Sequence, residues 1–184
     1  MATLDYSVDR TNDVLDVGEA NYNRKDITSS GVSIASGSLR LSYFTANKQE
    51  MISQIRIITG GTAAAATPTL CRIGVYEVDE VTGNLTLIAS TANDVNLFNA
   101  TQTAFVKAFS QPFLKQRFVR YAVGVLVVSG VAVPTFNGQN AVPAAEAAMS
   151  PRITGYSAQT DLPSTVTAGE ITNGASRIYF VLLP

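Results

Sequence analysis

Residues 73–89 read Ile73-Gly74-Val75-Tyr76-Glu77-Val78, then Asp79-Glu80-Val81-Thr82-Gly83-Asn84, then Leu85-Thr86-Leu87-Ile88-Ala89. Two runs of alternating apolar and polar residues flank a Gly-Asn turn, which predicts a β-hairpin with one face of each strand buried. Working outward, Leu39, Leu41 and Tyr43 alternate with Arg40 and Ser42, again with the period of two of a half-buried strand. Ile52 to Ile58 is a second β-branched run, and further strands are expected at 104–109, 119–128 and 177–183. Gly124 lies inside the most apolar of these, which marks a bulge or a close backbone approach. Ala63 to Ala66 is hemmed in by Gly60, Gly61 and Pro68 and is read as a loop between strands. No segment sustains a helical period beyond about three turns. The expectation is an all-β protein of seven or eight short strands, an antiparallel β-sandwich with jelly-roll-like connections.

The first 26 residues differ in kind. They carry six acids (Asp5, Asp9, Asp13, Asp16, Glu19, Asp26) and three bases (Arg10, Arg24, Lys25), whereas the other 158 residues carry eight acids and ten bases. With few large apolar side chains, such a segment does not build its own core and orders against a partner. Asp5, Asp9 and Asp13 recur every fourth residue, unlike the alternate acids of a calcium loop. The expected organisation is an extended N-terminal arm over residues 1–30 and a β-sandwich domain over 31–184. Deleting residues 1–26 is expected to leave the fold intact.

The chain of 184 residues has no histidine and a formal charge of -1. It is long enough to bury about two-thirds of its unfolded surface without a disulfide framework or a structural metal. Lacking histidine, it offers no Ser-His-Asp or Cys-His pair and no imidazole metal ligand. No phosphate loop, dinucleotide fingerprint or paired CxxC is present, so neither cofactor nor metal is expected. The single Cys71 sits among Leu70, Arg72 and Ile73 and reads as a small buried hydrophobe, not a nucleophile. Met1 to Ser7 has neither the basic start nor the apolar run of a signal peptide, and the longest apolar stretch, Tyr121 to Val128, is far short of the roughly 20 residues of a membrane span. No membrane insertion is expected.

Among individual residues, Asp94 and Asp161 are the acids in polar loops beside apolar neighbours, where a glycosidase would hold a carboxylate pair; acids in turns more often cap their own backbone. Tyr43, Tyr76, Tyr121, Tyr156 and Tyr179 are candidates for a sugar-stacking platform, against the commoner role of packing a core edge or an interface. Lys107, Lys115, Arg117 and Arg120 flank Phe113 and Phe118. The near-neutral charge of the chain argues for a solvated edge that discourages aggregation and against a nucleic-acid surface. No catalytic residue is assigned.

Longer blocks carry a family resemblance. Leu39 to Ala46, Thr59 to Tyr76, Asn84 to Asp94, Arg120 to Val128 and Pro151 to Gly155 together resemble, in the same order, a β-rich domain of virion proteins of tailed bacteriophages of actinobacteria. The resemblance spans roughly residues 31–182. It implies a non-enzymatic structural protein, a minor tail or baseplate component with a role in host-surface recognition. A capsid decoration protein of head-fibre type is the alternative, and a carbohydrate-binding module the second. The implied location is the virion, assembled in the host cytoplasm and released by lysis. Its partners would be other phage virion proteins, in the tail or baseplate or the major capsid protein. Copies of itself, a trimer by analogy, and a host-surface glycan met by loops 92–103 and 134–151 would complete the set. The first segment then becomes an attachment arm, with Leu4, Tyr6, Val8, Val14, Leu15 and Tyr22 as its apolar contacts.

Overall fold

A computed structural model describes residues 18–139, 155–172 and 176–184. Apart from two three-residue 3-10 turns, Arg24–Asp26 and Ala168–Glu170, the regular structure of these residues is all strand. In chain order the strands are β1 (Glu19–Ala20), β2 (Thr28–Ser33), β3 (Leu39–Thr45), β4 (Glu50–Ile58), β5 (Ala66–Val78), β6 (Leu85–Ser90) and β7 (Ala104–Lys115). They continue as β8 (Arg120–Ala132), β9 (Thr135–Gln139), β10 (Gly155–Tyr156), β11 (Thr165–Val166), β12 (Arg177–Ile178) and β13 (Phe180–Leu183). All pairings are antiparallel. They make a four-stranded sheet in the order β1-β13-β4-β7, a six-stranded sheet β10-β3-β8-β5-β6-β11 and a small third sheet β12-β9-β2. The protein is all-β with antiparallel sheets, as the alternation of residues predicts.

The hairpin that anchors the sequence reading is β5–β6, with Val78 opposite Leu85 and Tyr76 opposite Leu87. Its turn is closed by Asp79, whose Oδ1 accepts the amides of Val81 at 2.9 Å and Thr82 at 2.8 Å. Those amides hold the Asp79 carboxyl below its ordinary value. Gly83 takes φ +74°, the left-handed geometry a side chain resists.

Ile52, Ile55 and Ile57 of β4 and Phe180 and Leu182 of β13 share one apolar core with Cys71, Ile73 and Val75 of β5 and Tyr121, Val123, Val125 and Val127 of β8. The four- and six-stranded sheets therefore bury the same core between them. The other face of the six-stranded sheet is covered too. Leu39, Leu41, Tyr76, Ala122 and Leu126 pack there against Leu162, Val166 and Ile171 of the 155–172 segment. Burial on both faces is why β8 reads as a continuous apolar run and not an alternating one. Gly124 faces Gly74 across an unbroken register. A Cβ on Gly124 would lie 2.7 Å from Leu39 Cδ1 and 3.1 Å from Tyr76 Cε2, so this glycine serves close approach rather than a bulge.

The structure corrects two expectations. The N-terminal segment is not all arm: Glu19 and Ala20 pair with Leu182 and Val181, and Asn21 exchanges hydrogen bonds with Phe180 through its amide at 3.3 Å and its Oδ1 at 3.1 Å. Local charge hid a strand whose partner lies at the opposite end of the chain. Lys115 is the second. It is not on a solvated edge but fully enclosed, because β7 runs six residues beyond Phe109 and turns Phe113 and Lys115 inward.

Candidate functional site

A buried ion pair joins β1 to β7 among the described residues. Lys115, wholly buried, is ion-paired to Glu19, which is itself 7% exposed. Glu19 also accepts the Asn47 amide at 2.7 Å, and Glu50 stands 3.8 Å from the same ammonium while pairing with Lys48 at 2.8 Å. An enclosed ammonium needs this compensation, since desolvation would otherwise expel it. Gly18 precedes Glu19 against β13, and a Cβ there would lie 2.5 Å from the Leu182 carbonyl oxygen. Gly18 is therefore held closely against β13. Of the expected arm contacts, Leu4, Tyr6, Val8, Val14 and Leu15 lie outside the described residues. Tyr22 is within the fold, edge-to-face on Tyr179 at 5.5 Å, and its hydroxyl donates to the Arg177 carbonyl at 3.2 Å. Burial raises the Tyr22 hydroxyl pKa above its ordinary value.

The two loop acids are each held by a cation of their own. Asp94 pairs with Lys107 at 2.6 Å and accepts the Asn96 amide at 3.0 Å, which together keep its carboxyl below the usual range. Such a carboxylate is poorly placed to give up a proton near neutrality. Asp161 pairs with Arg72 at 2.6 Å, and Arg72 also donates to Ser90 Oγ and the Thr91 carbonyl. This network fastens the 155–172 segment to the sheet. Among the described residues, no three His, Cys, Asp or Glu side chains converge as a metal site would require. Cys71 is buried, and burial pushes its thiol up to about 11, away from the thiolate range of a nucleophile.

The tyrosines do not assemble a platform. Tyr76, Tyr121 and Tyr179 are core residues, and Tyr43 and Tyr156 are half-buried. Loop 92–103 is tied down as well: Phe98 is fully buried at φ +68°, edge-to-face with Phe136 at 4.8 Å and Phe105 at 5.6 Å. Of loop 134–151, residues 140–151 lie outside the described residues. Arg117 lies over the exposed Phe118 ring at 4.4 Å, and Arg120 over Tyr43 at 5.3 Å.

What does remain open is the outer face of the four-stranded sheet. Met51 and Leu114, cross-strand partners in β4 and β7, are 54% and 47% exposed, and Val106 further along β7 is 51% exposed. Local alternation places these residues outward. It gives no sign that three large apolar side chains share that face. No protein-family model matches the chain, and no curated protein matches it.

Proposed function

We propose that the protein is a non-enzymatic structural component of a tailed-bacteriophage virion, a minor tail or baseplate piece that takes part in meeting the host surface. The observation that carries this reading is the strand order. The series β1-β13-β4-β7 opposite β3-β8-β5-β6 supports reading the fold as two interleaved Greek keys, a jelly-roll sandwich, an architecture at home in virion subunits and in lectins. Fold alone does not give function, so the reading leans equally on the resemblance of segments 39–46, 59–76 and 120–128 to phage virion domains.

In this reading residues 1–17 are the attachment arm. The Glu19–Lys115 pair fixes the first described strand, next to this segment, in the fold. The exposed cross-strand pair Met51 and Leu114 on the outer face of the four-stranded sheet supports contact between copies, with a trimer as the expected assembly. Cryo-electron microscopy of intact particles tests the placement: density fitting the sandwich at the tail tip or baseplate is the expected result, and repeated density over the capsid lattice would assign it to head decoration instead. Mass measurement at micromolar concentration tests assembly, and a monomer would count against preformed oligomers.

A further inference from the structure

At the C-terminal end of β3, Tyr43, Phe44, Thr45, Arg120 and Arg177 line a cleft of about 220 Å³. Three strands bring its polar groups together. Arg120 stands opposite Thr45 in the β3–β8 register. Arg177 is paired with Gln139 in β12–β9, and the next residue, Ile178, donates its buried amide to Ser42 Oγ at 2.9 Å. That bond moors β12 to β3 immediately beside Tyr43.

The cleft has an imbalance of charge and hydrogen bonding. Among the described residues, no carboxylate pairs with Arg120 or Arg177, whereas Arg72, Lys48 and Lys107 each have one and Lys115 has two. The Tyr43 hydroxyl is buried without a hydrogen-bond partner. An unsatisfied buried hydroxyl is costly, and a native structure retains few of them. Burial also pushes this hydroxyl up to about 12, with Arg120 opposing the shift, so at neutral pH it remains an O–H and hence a donor. The two guanidiniums present donors only. Phe44 is buried and the Tyr43 face is already capped by Arg120, so no bare ring is left on which a sugar face could stack.

We propose that this cleft is an oxyanion-binding site, in which Arg120 and Arg177 grip a carboxylate, phosphate or sulfate group. The guanidinium fork matches the spacing of such oxygens bidentately, which a lone ammonium does not. The chemistry is independent of where on a particle the protein resides.

The test is calorimetric titration of the full chain at low ionic strength with inorganic phosphate, sulfate and glucuronate in separate arms. Saturable binding of at least one is expected. Preference for glucuronate would identify an acidic saccharide as the source, and preference for phosphate or sulfate a phosphoryl or sulfuryl group. Arg120→Gln/Arg177→Gln should weaken binding by at least about tenfold. Arg117→Gln, outside the cleft, should bind as the parent does. Tyr43→Phe keeps the ring beneath Arg120, and it should bind as the parent does while its melting temperature holds or rises, since a buried unpartnered hydroxyl has been removed. No saturable binding in any arm, or equal binding by the double-arginine variant, overturns the assignment.

Discussion

Lys115 shows how far one residue's meaning depends on its partners. Read locally, it is one of several bases near a strand end; in the fold it is an enclosed cation whose neutralising Glu19 comes from 96 residues away. Removing one member of a buried pair strands the other, at a cost of about 3–5 kcal/mol. Glu19→Ala should therefore destabilise the protein by about 3 kcal/mol in urea unfolding, with Glu50 supplying the remainder of the compensation. A loss below about 1 kcal/mol would mean that the site behaves as a surface pair. Asp94 is such a surface pair with Lys107. Its folded carboxyl lies below the ordinary carboxylate value, so its contribution is complete above about pH 4 and disappears as pH falls through the folded value. Asp94→Asn should cost about 0.5 kcal/mol at pH 7 and almost nothing at pH 2, as judged by parallel urea melts. Equal losses at both pH values would point to the Asx turn rather than the ion pair.

At the scale of elements, strands with one face on a core were legible in the sequence, and strands buried by distant partners were not. Leu39, Leu41 and Tyr43 announce β3, and the β5–β6 hairpin carries its own turn chemistry in Asp79 and Gly83. By contrast β2, Thr28-Ser29-Ser30-Gly31-Val32-Ser33, and β9, Thr135-Phe136-Asn137-Gly138-Gln139, are polar and glycine-bearing, and they become strands by pairing with each other. The oxyanion cleft was invisible for the same reason: Tyr43 was legible as a strand residue, but its meeting with Arg177 depends on β12 crossing to Ser42. Ser42→Ala leaves the Ile178 amide buried without an acceptor, which should cost about 1–3 kcal/mol. Hydrogen exchange at Ile178 should accelerate well beyond that of the β5–β8 amides. Unchanged protection at Ile178 would mean that the hydroxyl does not hold β12 in place.

At the scale of the whole molecule, the two ends of the described chain complete one sheet. β13 lies between β1 and β4, so the four-stranded sheet needs residues 19–20 and 180–183 together. Residues 19–21 are therefore part of the sheet structure, and the proposed attachment role falls to residues 1–17. The expectation that residues 1–26 can be removed without harm to the fold therefore conflicts with the geometry, because that deletion takes Glu19 from Lys115 and Asn21 from Phe180. A chain lacking residues 2–17 should melt within about 2 °C of the parent. One lacking residues 2–21 should lose at least the roughly 3–5 kcal/mol of the stranded ammonium. If the attachment reading holds, the shorter deletion alone should abolish incorporation into particles while the fold survives. Normal incorporation of that shorter chain would place the attachment surface on the sandwich itself, and the exposed Met51–Leu114–Val106 face would then be the first surface to mutate.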